Sequence, residues 1–424
     1  MRAFHRPRPS AIWRQRNFRL LWTGETISIV GSGVSDFALP LVAVLTLHVT
    51  PSQLGLMRAI GSAPGIVLGL LAGVWVDRLS RQRLLIVLNL IAAALMASVP
   101  IASAFGGLSL FHLYALWFAF GVIGPFWWPA WNSFLPSIVS PDELVEANSK
   151  VVFSWSASGI VGPALGGLLV AWFTAPGALV FDAATFAACA AFTVAIRSPG
   201  ASLAEPREPS PMFREIAEGL RLTFLDPMQR AITVPRLILD FIDAMSAAVF
   251  AIYVIREVRL SAALFGLALA LSSVGFVVGS GVAPKIERRA GIGSMIVIGL
   301  LLVAVSPYTM VIANRAFADP VNVVLLAMPG WIGGLGGIVQ FVGLSTLRQS
   351  ITPGAVLGRV FASASVAGRL MTLAGALTGG FLAEAIGLRP TIAVAAVAYS
   401  VPFFYALVSP LRTAERPAGE AMPD

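Results

Sequence analysis

The sequence predicts an all-α membrane protein in which twelve transmembrane helices form two halves of six. Of its 424 residues, 57% are hydrophobic and only 12% are charged, and the mean hydropathy is +0.84. Soluble domains carry about 25% charged residues, whereas a helix needs roughly 20 apolar residues to cross a bilayer. This composition excludes a soluble enzyme, a nucleic-acid-binding domain and a disordered regulator.

Twelve apolar runs are separated by short polar gaps. The predicted spans cover residues 20–47, 53–76, 84–104, 110–133, 148–173, 176–196, 231–255, 260–283, 292–314, 321–346, 357–383 and 389–410. Several contain proline, which membrane helices tolerate because neighbouring helices satisfy the freed carbonyls. The single cysteine, Cys189, cannot form a disulfide within the chain and is predicted to be buried.

Basic residues cluster on one side of the predicted spans. With the N-terminus placed in the cytoplasm, 22 of the 29 Lys and Arg residues lie in the inner gaps or at the span ends beside them. Positive charge marks cytoplasmic loops, so both termini are predicted to be cytoplasmic. The first apolar run has no small-residue cleavage site, so we interpret it as a retained helix rather than a signal peptide.

The longest polar stretch divides the chain. We predict an N-terminal six-helix half over 1–196, a cytoplasmic linker over 197–230, a C-terminal six-helix half over 231–410 and a cytoplasmic tail over 411–424. Within the linker, Phe213, Ile216, Leu220 and Phe224 recur at helical spacing. This pattern predicts an amphipathic helix on the inner membrane surface.

Glycines repeat between the halves. Three in the fifth span match three in the eleventh at a constant offset of 213 residues, namely Gly162, Gly166 and Gly167 with Gly375, Gly379 and Gly380. Each half has an even number of spans, so the two copies keep the same orientation. Such parallel repeats are a recurring plan of transporters, in which the substrate site lies at mid-depth between the halves.

Two motifs carry a family resemblance. The gap after the second span reads GVWVDRLSRQR and contains Gly73, Asp77, Arg78, Arg81 and Arg83. It resembles the loop between helices two and three of the major facilitator superfamily, with Ser80 in place of the usual glycine. The resemblance implies a latch on the cytoplasmic side, in which Asp77 faces a helix start near Gly358 and its dipole. The alternative is that the arginines only fix the topology.

The fifth span carries the second motif, GIVGPALGG, which contains Gly159, Gly162, Pro163, Gly166 and Gly167. It is similar to a helix-five motif that is frequent in exporters of the superfamily; the alternative is close helix packing alone. Residues 129–149 and 348–360 resemble connections in bacterial macrolide-efflux and siderophore-exporter relatives. The resemblance implies the major facilitator fold and a drug:proton antiporter of that branch.

Ionisable residues inside spans are costly and mark candidate functional sites. Asp36 lies in the first span, and Asp240 and Asp243 lie one turn apart on one face of the seventh. By resemblance these carboxylates face the cavity, where they carry a proton or meet a cationic substrate. The alternative is structural pairing, with Arg236 as the partner of Asp240.

Other polar and aromatic residues are weaker candidates. Gln340 is a candidate polar contact, and Trp128 is a candidate substrate contact or a member of an interfacial aromatic belt. We expect Asp182 to make a helix–helix hydrogen bond and Glu25 to touch interfacial water. No residues show metal-ligand spacing, and no phosphate-binding loop indicates ATP.

The sequence therefore predicts a secondary active transporter without a cofactor or bound metal. It would export a small amphipathic organic compound (a drug, macrolide, siderophore or secreted metabolite) across the bacterial inner membrane as a monomer, by alternating access and in exchange for protons. Three alternatives stay open: an uptake symporter of the same fold, a lipid-moving protein and a non-transporting membrane sensor.

Overall fold

The computed structural model describes residues 11–197 and 212–414, and within these ranges the chain is helical with no strand. The helices are α1 (Arg16–Leu41), α2 (Pro51–Arg78), α3 (Arg81–Ala104), α4 (Leu110–Ile138), α5 (Leu144–Phe173), α6 (Ala175–Val194), α7 (Met212–Leu225), α8 (Pro227–Ile252), α9 (Ala262–Val305), α10 (Tyr308–Ile312), α11 (Asp319–Ile351), α12 (Gly354–Ile386), α13 (Leu388–Ala398) and α14 (Ser400–Val408).

The helices agree with the twelve predicted spans. In the described part of the chain, ten stretches are long and apolar enough to cross a membrane. One of them, Ala262–Ile312, holds two predicted spans, because α9 bends at Gly291, where φ is 77°. Helix α2 covers the second predicted span, and α13 and α14 together form the last. The prediction of an all-α, twelve-helix membrane protein is confirmed.

Close contacts divide the chain into two compact units. The first comprises Met1–Val42 and Val67–Pro206, and the second comprises Ala43–Ile66 and Arg207–Asp424. The linker helix α7 belongs to the second unit, where Gly219 lies against Arg359 and Ser363 of α12. The domain boundaries at 196, 230 and 410 stay predictions.

Within the first unit, α1 and α5 pack so closely that their backbones are in contact. A Cβ atom added to Gly162 would lie 2.7 Å from the Cα of Gly33, and one added to Gly166 would lie 3.3 Å from the Val34 carbonyl oxygen. The hydroxyl of Ser158 on α5 donates to the backbone of α1 at 2.7 Å. Glycines allow this approach because a side chain at either position would hold the helices apart.

The second unit repeats this contact between α8 and α12. Gly375 lies against the Phe241 carbonyl, and Gly379 lies against the Met245 carbonyl. Gly375 and Gly379 are the glycines that match Gly162 and Gly166 in the sequence repeat. The repeat therefore describes one packing motif that occurs once in each unit.

Helices α1 and α8 also end alike. Each passes into a π-helical turn, at Val42–Thr46 and at Tyr253–Val258. A residue with left-handed φ follows in each case, His48 at 53° and Arg259 at 63°. The next amide then donates to the carbonyl six residues earlier, at 3.2 Å in both helices. Corresponding positions differ by 211 residues.

Candidate functional site

The first unit contains a cavity of about 260 Å³ that is lined by α1, α3, α4, α5 and α6, and we call it the acidic cavity. Three carboxylates line it: Glu25 and Asp36 from α1 and Asp182 from α6. Its described lining residues include no Lys, Arg or His. The wall is otherwise apolar and aromatic, with Trp117 and Trp127 from α4.

Helical spacing explains why α1 supplies so much of this lining. The α1 residues that line the cavity are Glu25, Ser28, Ile29, Ser32, Ser35, Asp36 and Leu39. They recur every three or four positions, so they share one face of the helix. This face combines acids and serines, whereas most of the helix is apolar.

Glu25 is buried rather than at the interface. Its side chain is 5% exposed, and the Cys189 thiol donates to its Oε2 at 3.9 Å. The expectation that Glu25 touches interfacial water is therefore wrong, because α6 covers this turn of α1. Cys189 is buried, as predicted. The shared helical face with Asp36 is the sequence signal that could have placed Glu25 in the site.

Asp182 is completely buried, and the Thr185 hydroxyl donates to its Oδ1 at 3.0 Å. A glycine at position 31 of α1 makes room for this pair, since an added Cβ atom would lie 2.6 Å from Oδ1. The carboxylate therefore sits against α1, beside Ser35 and Asp36. Asp36 is exposed to the cavity, and it shares that lining with the two buried acids.

The second unit contains two cavities, of about 560 and 420 Å³, and Arg236 and Gln340 line both. Arg236 pairs with Asp240 at 2.6 Å, and Asp240 lines the smaller cavity. Asp243 lines the larger cavity and accepts a hydrogen bond from the Tyr399 hydroxyl at 2.6 Å. The two aspartates thus line different cavities, because side chains three residues apart point in directions that differ by about 60° around the helix axis.

Gln340 and Trp128 differ in their surroundings. Gln340 is 2% exposed, and its Oε1 has no hydrogen-bond partner among the described residues. Trp128 is 53% exposed and packs edge-on against Trp155, with ring centroids 6.5 Å apart. Trp127 and Trp155, rather than Trp128, line the acidic cavity.

The two family motifs fall partly outside the described side chains. Gly73, Asp77 and Arg78 lie in the part of the chain whose side chains are not described, so the latch stays a prediction. Arg81 donates to the Ser133 carbonyl at 3.4 Å, and Arg83 is exposed.

In the helix-five motif, Gly162 and Gly166 pack on α1, as described above. Gly159, Pro163 and Gly167 lie within α5 itself. Among the described residues, no group of three or more His, Cys, Asp or Glu side chains could hold a metal ion.

Comparisons with known proteins agree with this architecture. A family model described as "Transmembrane secretion effector" matches residues 8–422. The enterobactin exporter EntS of Escherichia coli O9:H4 (strain HS) is 26% identical over 363 residues, which cover 81% of this chain and 79% of the relative. The EntS protein of Shigella boydii serotype 18 shows the same identity and coverage.

Two solved structures share the fold. The nucleoside transporter NupG has a TM-score of 0.74 at 12% identity, covering 92% of this chain and 98% of its own. A bacterial homologue of the iron transporter ferroportin, in an inward-facing state, has a TM-score of 0.69 at 18% identity, covering 94% and 99%. At these identities the likeness shows the fold alone.

Proposed function

We propose a function from one premise: the chain belongs to the transmembrane secretion effector family of major facilitator transporters. We infer that it exports a small amphipathic organic compound by alternating access, driven by protons that move inward. The exporter relatives support the direction of transport. The distribution of Lys and Arg supports a bacterial inner-membrane protein with both termini in the cytoplasm, which we propose works as a monomer.

The proposed proton coupling rests on the residues of the acidic cavity. Glu25 and Asp182 are buried within membrane-spanning helices, where they accept hydrogen bonds from the neutral thiol of Cys189 and the neutral hydroxyl of Thr185. A buried carboxylate without a counter-ion is costly in its charged form. Intramembrane acids of this kind mark proton pathways, so these two residues are suited to take up and release a proton during the transport cycle.

The remaining wall of the acidic cavity suits an amphipathic compound. Phe120 and Trp127 of α4 offer aromatic faces, while Ser32 and Asn89 offer hydrogen-bonding groups. Ligand sites commonly combine a mostly apolar wall with a few polar groups that fix orientation. Asp36 adds a carboxylate that is open to the cavity. We therefore propose that the acidic cavity offers apolar and hydrogen-bonding contacts to the cargo in addition to its proton carriers.

The test is transport in proteoliposomes under an imposed pH gradient, with a panel of dye, macrolide and siderophore substrates. The variants are Glu25→Gln, Asp182→Asn and Asp36→Asn. The matched control is Glu384→Gln, because Glu384 is exposed on α12 and lines none of the three cavities. We expect gradient-driven export by the wild type and the control, and its loss in Glu25→Gln and Asp182→Asn.

Each contrary outcome points to a different alternative. Uptake of a substrate together with protons would show that the protein is a symporter rather than an exporter. Movement of labelled phospholipid without a gradient would indicate a lipid-moving protein, and no movement of any compound would indicate a sensor. Unchanged gradient-driven export in both buried-acid variants would remove the coupling role of the acidic cavity.

A further inference from the structure

The smaller cavity of the second unit, of about 420 Å³, lies between α8, α11 and α12, and we call it the basic cavity. Its charged lining residues are Arg236, Asp240, Arg348 and Arg369. Three guanidinium groups therefore face one carboxylate inside the membrane-spanning part of the protein. Charged groups are expensive there, and they mark ligand or ion pathways unless they neutralise one another.

The one carboxylate is already engaged. Asp240 pairs with Arg236 at 2.6 Å. Among the described residues, no carboxylate lies within ion-pair distance of Arg348 or Arg369. Two positive charges of the basic cavity therefore have no described counter-ion.

Arg348 is held in place by neutral groups. It is 8% exposed, its Nη2 donates to the Thr233 hydroxyl at 2.9 Å, and its guanidinium lies 5.4 Å from the centre of the Phe361 ring. Its Nε has no hydrogen-bond partner among the described residues. A buried guanidinium with an unused donor is poised for an acceptor that enters the cavity.

Other lining groups complete a site for an aromatic acid. Gln340, which is 2% exposed, adds a side-chain amide whose oxygen has no hydrogen-bond partner among the described residues; this oxygen accepts, so it suits a hydroxyl of the ligand rather than its acid group. Phe341 and Phe361 supply apolar faces, and Ser345 and Ser365 supply hydroxyl groups. Guanidinium groups bind carboxylates through paired hydrogen bonds, and the rings suit a flat apolar body.

The sequence repeat sharpens the contrast between the two units. Arg236 stands 211 residues after Glu25, which is the offset that relates the ends of α1 and α8. Glu25 and Arg236 therefore occupy equivalent positions of the repeat; Glu25 lines the acidic cavity, and Arg236 lines the basic cavity. Protons and an organic acid would each find a site of opposite charge, in separate units.

We propose that the basic cavity binds the acid group of an aromatic organic anion, so that the cargo of this protein carries a carboxylate or a comparable acid. The assignment of this anion as cargo rests on the proposed export function, whereas its binding does not. This proposal differs from the cationic substrate that the sequence analysis offered as one role of the carboxylates, because the bound group here is an anion held by Arg348 and Arg369.

The test uses two dyes with the same ring skeleton and opposite charge. Fluorescein is an anion and rhodamine 123 is a cation, and their binding to the purified full chain in a neutral maltoside detergent is followed by fluorescence anisotropy. We expect fluorescein to bind about tenfold more tightly or better, as charge-assisted hydrogen bonds imply. Equal affinities, tighter binding of rhodamine 123 or no binding of fluorescein would overturn the proposal.

Variants locate the site. Arg369→Gln is expected to weaken fluorescein binding about tenfold with little change for rhodamine 123, and Arg369→Lys is expected to restore part of the loss. Asp240→Asn removes the competing carboxylate and should tighten fluorescein binding, a gain that misfolding cannot mimic. Arg412→Gln is the control, because Arg412 is exposed and lines none of the three cavities described above.

Fluorescein binding that is unchanged in both Arg369→Gln and Asp240→Asn would place the anion elsewhere and overturn the proposal. The outcome is separable from that of the transport assay, because anisotropy needs no gradient. Loss of export with intact, Arg369-dependent fluorescein binding would refute the exporter function and leave the anion site standing. Export of cations with no fluorescein binding would support the exporter function and refute the anion site.

Discussion

Replacing Gly162 by alanine would place a methyl group against the backbone of α1. The new Cβ atom would lie 2.7 Å from the Cα of Gly33, whereas ordinary contact begins near 3.4 Å. The two helices would therefore have to separate by about 0.7 Å. No rotamer change can relieve this contact, because the backbone fixes the position of the added Cβ atom and the atoms that it meets belong to the backbone of Gly33.

The separation also affects hydrogen bonds on either side of the glycines. The Ser158 hydroxyl donates to the Ile29 carbonyl at 2.7 Å, and the hydroxyls of Thr26 and Ser154 are 2.8 Å apart. Both would lengthen toward about 3.5 Å, beyond a good hydrogen bond. Overpacking costs about 1–3 kcal/mol, and each membrane hydrogen bond contributes about 0.6 kcal/mol. Alanine recovers about 1 kcal/mol of helix propensity, which leaves a net loss of about 1–3 kcal/mol.

The assay is equilibrium unfolding by SDS in mixed detergent micelles, followed by circular dichroism. The matched control is Gly281→Ala in α9, where nothing lies within 4 Å of an added Cβ atom. That variant should gain up to about 1 kcal/mol from propensity alone. The two free energies of unfolding should therefore differ by about 2–4 kcal/mol. Equal stability of the two variants would refute the argument that backbone contact holds α1 to α5.

Three further predictions use the same assay. Gly375→Ala, at the equivalent contact of the second unit, should lose stability as Gly162→Ala does, and a gain would break the equivalence. Thr174 has φ 76° and ψ 164°, a region that favours glycine, so Thr174→Gly should stabilise by about 1–2 kcal/mol, while Gly387→Ala at φ 93° should destabilise by a similar amount. Arg389→Gln strands the Val311 carbonyl, whereas the Ala313 carbonyl keeps the Tyr253 hydroxyl at 2.7 Å, so the cost should be about 1–3 kcal/mol. Glu257→Gln loses only an ion pair whose side chains are 36% and 33% exposed, and it should cost under about 1 kcal/mol.

The sequence predicts the twelve spans well because each apolar run is long and its ends are polar. It is less successful in the gap near residues 284–291, which the structure shows to be helical up to Gly291. Lys285 and Arg288 suggest a loop between spans, yet both residues are good helix formers. The chain needs only one glycine with positive φ to turn there.

The candidate site is harder to predict, since its parts come from helices far apart in the sequence. Asp36 and Asp240 stand out as charges in apolar runs, and both do line cavities. The burial of Glu25 depends on Cys189 of α6, and no local pattern in α1 reveals that neighbour. Likewise, Arg348 looks like an inner-loop charge that fixes topology until α8 and α12 enclose it.

The matching ends of α1 and α8 have a consequence for the history of the chain. The residues differ, with His48 in one copy and Arg259 in the other, and VAVLT has little in common with YVIREV, yet the two backbones follow one path. A single ancestral six-helix gene that already had this irregularity accounts for both copies after duplication. The offset between copies is 211 residues here and 213 at the glycines of α5 and α12. The segment between Arg259 and Gly375 is therefore two residues longer than the segment between His48 and Gly162, and an alignment of the halves should place the length difference there.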